Sequence, residues 1–250
     1  MPEALGAAFA TPGLIWLCLT VSAAGLVRGF TGFGTALIFI PVAGIYLPPP
    51  VVVGVMAVMG IFANMAVLPG AWREADRLDV AVMASAALVT VPMGLALMAQ
   101  LDTDFIRWIV ALVAGFTLAA MMTGWRYSGQ VSRPSMAGIG AAAGLLGGLT
   151  GLTGPVIILF YLTGRALAQK VRANTILCLA ILDCALVTNL YLRSVIDAQL
   201  LAIAILLAIP YFITSLIGQA FFRPELERFY RGAAYSVIAL AMISGLPVWS

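Results

Sequence analysis

Residues 23–32 read Ala23-Ala24-Gly25-Leu26-Val27-Arg28-Gly29-Phe30-Thr31-Gly32, and residues 142–151 read Ala142-Ala143-Gly144-Leu145-Leu146-Gly147-Gly148-Leu149-Thr150-Gly151. Seven of these ten positions are identical without a gap, at an offset of 119. The same offset pairs Asn64 with Asp183 and Gln100 with Gln219, and brings Pro92 within one residue of Pro210. The chain therefore reads as two halves built on one plan, each opening with a glycine-interrupted apolar segment.

Composition says what medium the halves sit in. Of 250 residues, 63% are hydrophobic and 9% are charged, and the mean hydropathy is +1.09. A soluble domain is about 25% charged, so this chain lacks the polar surface to cover a globule in water. Soluble enzymes, disordered chains and nucleic-acid-binding proteins are excluded as classes, and an all-α polytopic membrane protein remains. At roughly 20 residues per span, about eight to ten helical segments fill the chain and leave no room for a soluble domain. The net charge of +3 says little about partners, and the absence of histidine excludes a His proton relay or a His metal site. Cys18, Cys178 and Cys184 lie in apolar runs and read as inert thiols. No basic region precedes the first apolar run, so no cleaved signal peptide is expected.

Ten apolar stretches follow one another: residues 13–30, 33–47, 51–68, 80–99 and 106–124, then 135–149, 152–163, 175–192, 200–222 and 233–249. Residues 69–79 read as a polar loop. The connectors after the third, fifth, seventh and ninth stretches hold two or three Arg or Lys each, among them Arg73, Arg77, Arg126, Arg133, Arg165, Lys170, Arg172, Arg223, Arg228 and Arg231. Basic connectors stay in the cytoplasm, which puts both termini outside. Trp72, Trp108, Trp125 and Trp249 sit at stretch ends, where interfacial aromatics belong. Five stretches per half is an odd number, so the halves enter from opposite faces. The expected organisation is residues 1–124 as a first transmembrane repeat, 125–134 as a cytoplasmic linker, and 135–250 as a second, inverted repeat. Such inverted-topology repeats are a common plan of secondary transporters.

Each repeat would hold a broken, re-entrant helical hairpin plus three transmembrane helices. Stretch two reaches roughly 22 Å and stretch seven about 18 Å at 1.5 Å per residue, against a hydrocarbon core about 30 Å thick. The second pair thus reads as re-entrant, whereas the longer first pair leaves spanning open. Irregular backbone at depth must be buried in protein or line a wet cavity. Free N–H groups opening stretches two and seven carry the positive end of a helix dipole and suit an anion. Thr31, Thr35, Thr150 and Thr153 add hydroxyl donors. The candidate substrate-binding residues are accordingly Arg28, Gly29, Thr31, Gly32, Phe33, Gly34 and Thr35, with Gly148, Thr150, Gly151, Thr153 and Gly154. Two tips meeting at the midplane would form one site between the repeats. Small-xxx-small spacing at Gly25, Gly29, Gly140, Gly144 and Gly148 equally suits helix packing. The carbonyl ends of stretches one and six would favour a cation, so the dipoles alone leave the ligand's sign open.

These glycine motifs, G-x-x-x-G-x-x-G-x-G (Gly25, Gly29, Gly32, Gly34) and G-x-x-x-G-x-x-G-x-x-G-P (Gly144, Gly148, Gly151, Gly154, Pro155), resemble those of the TauE/SafE, or sulfite exporter, family of membrane permeases. The resemblance covers nearly the whole chain. It implies a transporter, not an enzyme, for sulfite, organosulfonates such as sulfoacetate, or related small sulfur-containing anions, with export implied by the family name.

Ionisable residues inside apolar stretches are functional candidates by default. Asp183 lies in mid-stretch, opposite Asn64 in the repeat, and both are candidates for coupling or for supporting the site. A carboxylate there carries a coupling proton, binds a cation, pairs with Arg28, or holds a polar neighbour in place. Arg28 either receives an oxyanion at the first tip, which its planar fork suits, or anchors the cytoplasmic end of stretch one. Lys170, the only lysine, has no P-loop context, so transport is passive or ion-coupled. No cofactor and no metal is called for. The expected partners are a small anionic substrate, the lipid bilayer and a coupling proton or cation. No nucleic acid is expected, and a homodimer is left open. The reading is an inner (plasma) membrane, multi-pass secondary transporter. The alternatives are a channel-like anion pore and a proton- or cation-coupled uptake permease for another small organic anion.

Overall fold

Runs of Leu, Ala, Val and Ile without charge satisfy their backbone inside a bilayer by winding into helix. In the computed structural model, which describes residues 2–65, 67–123, 132–161 and 168–248, the regular elements are all helical. They are α1 (Pro2–Phe9), α2 (Leu14–Thr31), α3 (Thr35–Tyr46), α4 (Pro49–Met65), α5 (Leu68–Glu74), α6 (Arg77–Met98), α7 (Thr103–Met122), α8 (Arg133–Thr150), α9 (Thr153–Tyr161), α10 (Ala168–Leu192), α11 (Ala198–Phe221), a 3-10 turn at Pro224–Leu226, and α12 (Glu227–Ser244). Helices α2, α6, α7, α11 and residues 172–192 of α10 are long and apolar enough to cross a membrane. The chain is a polytopic helical membrane protein. Its outer surface is a belt of exposed Leu, Ile, Phe, Val and Trp side chains, as a lipid-facing wall requires.

Local signals set several boundaries. The Asp76 carboxylate accepts from the N–H groups of Leu78 and Asp79 at 3.2 and 3.3 Å and caps α6. Asp197 caps α11 through the Leu200 N–H at 2.7 Å. Several boundaries differ from the sequence reading: α1 is not among the expected stretches, and α6 starts at Arg77, so Arg77 and Asp79 lie on helix rather than loop. The third stretch stops at Met65, and the chain turns by 72° into α5, which carries Arg73 and Glu74 on helix rather than loop. The turn suits Leu68-Pro69, because proline fits the first turn of a helix. Helices α10 and α12 start earlier than their apolar runs, so Lys170, Arg172, Arg228 and Arg231 also sit on helix. Most of the expected linker (125–131), with Trp125 and Arg126, lies outside the described residues, as do Arg165 and Trp249. Trp72 and Trp108 are exposed near helix ends, and the Arg77 guanidinium lies 5.2 Å from the Trp72 ring centroid.

The packing crosses between the halves. Helix α2 lies along α11, and α8 lies along α6. A Cβ on Gly29 would fall 2.5 Å from the Ser215 carbonyl oxygen, 2.7 Å from the Gly218 Cα and 2.8 Å from the Gln219 nitrogen. A Cβ on Gly148 would crowd the Val91 carbonyl oxygen and come within 2.9 Å of the Leu95 nitrogen and 3.0 Å of the Gly94 Cα. Gly25 meets Tyr211 and Thr214, and Gly144 meets Ala87 and Thr90, in the same way. The Thr90 hydroxyl closes the second pair by donating to the Ala141 carbonyl at 2.8 Å. The first arms correspond at an offset of 119, but these α6 and α11 partners correspond at 124. The structural counterpart of Gln219 is therefore Leu95, and the pairings of Gln100 with Gln219 and of Pro92 with Pro210 do not hold in space. Both helix pairs are parallel, since partner numbers rise together.

Candidate functional site

Both hairpins break on glycine for one backbone reason. Gly32 and Gly151 each cap a first arm with φ of 79°, and Gly34 precedes α3 at φ of 100°. These are left-handed conformations in which a Cβ is strained. The caps close alike: the Gly32 N–H donates to the Arg28 carbonyl at 2.7 Å, and the Gly151 N–H to the Gly147 carbonyl at 2.8 Å. Thr31 and Thr150 complete the turns. Each hydroxyl donates to the carbonyl four residues back, Val27 or Leu146, at 2.7 Å, and accepts from the N–H two residues on, Phe33 or Leu152, at 3.4 or 3.2 Å. A hydroxyl has one proton to give, so these two hold the break together and do not serve as the free donors expected from sequence.

The glycines divide by role. Gly29 and Gly148, expected at the substrate, sit in the close helix contacts to α11 and α6. Gly32, Gly34 and Gly151 shape the breaks. The described second arms are short: α3 has 12 residues and the described part of α9 has 9, roughly 18 and 14 Å. As described, neither covers a 30 Å core alone.

The tips do not coincide. Gly151 packs against Ile40 and Val53, its imaginary Cβ falling 2.9 Å from the Ile40 Cδ1 and 3.4 Å from a Val53 methyl. Ile40 is five residues along α3 from Thr35, roughly 7.5 Å of helix rise. The second tip thus abuts the middle of α3.

Their accessibility differs sharply. Thr150, Gly151, Leu152 and Thr153 are buried, and Gly154 is half-buried. Gly32 is exposed, a Cβ there would meet nothing within 4 Å, and Phe33 and Gly34 are half-buried. At this open tip α3 begins with N–H groups that have no intrahelical partner; the first to bond backward is Ile38, to the Gly34 carbonyl at 3.1 Å. The buried Thr35 hydroxyl lies 3.3 Å from the Tyr211 hydroxyl, itself buried on α11. Arg28 stands one turn before the break, half-buried. At the second tip Pro155 removes one opening N–H.

Asp183 is 9% exposed and faces α4, where a Cβ on Gly60 would collide with its carboxylate. Asn64, 5% exposed, lies one turn beyond Gly60 on the same helix. The pair matched by the repeat therefore shares the α4–α10 contact. Arg28 and Asp183 form no direct ion pair. Phe33, Gly34 and Thr35 follow Arg28 at the first tip, Asp183 sits at the α4–α10 contact, and Thr150 to Thr153 are enclosed at the second tip.

Sequence reasoning missed two residues. Tyr211 lay unremarked in an apolar run, beside Pro210. Arg107 lay one residue inside the fifth stretch; it is 9% exposed and lines a small recess of about 20 Å³, room for about one water, between α3, α4, α7, the second tip and the end of α12. An arginine just inside an apolar stretch was the available signal. Among the described residues no group of three His, Cys, Asp or Glu could hold a metal ion.

Compared with known proteins, the chain matches the family model described as sulfite exporter TauE/SafE over residues 17–245. No curated protein and no solved structure matches it.

Proposed function

The chain belongs to the sulfite exporter TauE/SafE family, a family of transporters rather than enzymes, and from that premise we propose that it is a secondary transporter of sulfite or a small organosulfonate. The observation that supports this most is the open first tip. Helix-opening N–H groups and the Thr35–Tyr211 hydroxyl pair stand at this accessible break, and Arg28 lies one helical turn before it. Helix N-termini and arginine forks are the two protein devices best matched to oxyanion oxygens.

The asymmetry of the tips fits alternating access, with the first tip exposed and the second enclosed. In the orientation set by the basic connectors, the first tip opens to the cytoplasm and both termini lie outside the inner membrane. Export then runs downhill electrically, since one charge crossing the potential is worth about 2.3 kcal/mol per 100 mV. Asp183, a buried carboxylate inside a membrane-spanning helix, is the candidate coupling group.

The test is sulfite flux in proteoliposomes under an imposed potential, with unlabelled sulfonates as competitors. Saturable flux blocked by a sulfonate is expected. Flux that never saturates would make the protein a pore, and flux equal to empty liposomes would dismiss sulfite as its substrate.

A further inference from the structure

The recess beside the second tip is walled by apolar side chains, and the charge that lines it is Arg107. A buried guanidinium needs partners, and the ones seen are unusual. Its Nε donates to the Gly245 carbonyl at 3.2 Å and its Nη2 to the Leu246 carbonyl at 3.4 Å, both at the C-terminal end of α12. Its Nη1 lies 3.4 Å from the exposed Asp104 carboxylate. The partners at the end of α12 are neutral carbonyls, whereas a small oxyanion offers charge-assisted, bidentate bonds to the same fork.

What Arg107 holds is what covers the recess. Gly245 packs on the Pro41 backbone, its imaginary Cβ 2.6 Å from the Pro41 oxygen. Under that contact α3 leads to Ile40, which with Val53 encloses Gly151. Releasing the end of α12 would open a route from the surface to the second tip.

The other half carries the counterpart. At the offset of 124, Phe105-Ile106-Arg107 matches Phe229-Tyr230-Arg231 at the start of α12. Arg107 is buried beside the enclosed tip, whereas Arg231 is exposed and its neighbour Tyr230 stacks on Phe30, 4.5 Å between centroids, next to the open tip. The two arginines differ in the same sense as the two tips.

We propose that Arg107 is an anion-receiving latch. A small oxyanion arriving at the recess takes the guanidinium from the Gly245 and Leu246 carbonyls, and α12 then uncovers the second tip. The latch deepens the transporter reading above and rests on it for the identity of the anion.

The test uses the full chain in lipid nanodiscs, with Cys18, Cys178 and Cys184 replaced and Val53→Cys added as a reporter for a membrane-impermeant maleimide. Adding sulfite or methanesulfonate should raise the labelling rate at least ~5-fold, a typical coupling between linked sites. With Arg107→Gln labelling should be fast and indifferent to anions, and with Arg107→Lys a weaker response should survive. Asp104→Asn, which removes a competing carboxylate, should lower the half-maximal sulfite concentration about 2- to 5-fold. Labelling indifferent to every oxyanion, or still responsive in Arg107→Gln, overturns the latch. Sulfite flux measured on the same preparation separates the two readings. Flux without an anion-dependent label rate overturns the latch alone. A label rate that answers acetate or sulfate but not sulfite, with no sulfite flux, supports the latch and overturns the sulfur-anion reading.

Discussion

The Thr35 hydroxyl at the start of α3 lies 3.3 Å from the Tyr211 hydroxyl in the middle of α11, both buried. One hydroxyl belongs to each half of the chain, and they meet where the accessible break exposes unpaired N–H groups. Ala87 occupies the place of Tyr211 in the other half, judged by its contact with the equivalent glycine. The repeat is therefore chemically asymmetric at this point.

Tyr211→Phe keeps the ring and removes the hydroxyl. If that hydroxyl helps to hold the anion, KM for sulfite rises about 5- to 10-fold with kcat nearly unchanged, the scale of one hydrogen bond at about 1 kcal/mol. Initial rates of flux in proteoliposomes measure this. An unchanged KM takes the hydroxyl pair out of the site.

Arg28 separates two roles by substitution. As the oxyanion's partner, Arg28→Gln raises KM roughly 10- to 100-fold, and Arg28→Lys recovers part of the loss because it keeps charge but not the fork. As a membrane anchor alone, either variant lowers the amount inserted and leaves KM untouched. Flux normalised to protein quantity decides.

Asp183→Asn tests coupling. With Asp183 as proton carrier, wild-type flux follows the pH gradient, the variant loses that dependence, and sulfite binding survives in both. Gly60→Ala should act in the same direction, because the added methyl collides with the carboxylate. Wild-type flux indifferent to pH assigns Asp183 to a structural role at the α4–α10 contact.

The glycines predict a stability pattern. Gly148→Ala forces α8 off the α6 backbone and should cost roughly 1–3 kcal/mol, as overpacking does. Gly138→Ala, where a Cβ meets nothing within 4 Å, should be neutral or slightly stabilising. Gly32→Ala also meets nothing but carries φ of 79°, so about 1–2 kcal/mol of backbone strain is expected. Thermal unfolding in detergent ranks the three. Gly32→Ala as mild as Gly138→Ala would show that the break tolerates another backbone.

Much of this was legible along the chain. The lack of charge dictates helices in a bilayer, because nothing else closes its own hydrogen bonds there. The repeated Gly-x-x-x-Gly-x-x-Gly placed both breaks to within a few residues, since the left-handed turn that ends a first arm needs a glycine at Gly32 and Gly151. Asp183 stood out because an unpaired acid inside an apolar run is costly.

Only the three-dimensional arrangement decided which glycine does what. Gly29 and Gly32 are three residues apart in one motif, yet one presses on the α11 backbone and the other turns the chain in the open. Spacing records that both lack a side chain and not what stands opposite, because the opposing helix comes from the other half of the chain. The same holds for Arg107, whose carbonyl partners are 138 and 139 residues away, and for Tyr211 beside Thr35, 176 residues apart. Hydropathy and periodicity are local sums over neighbours in sequence. Which helix crosses to which, and which tip is left open, are set by packing between elements that the sequence keeps far apart.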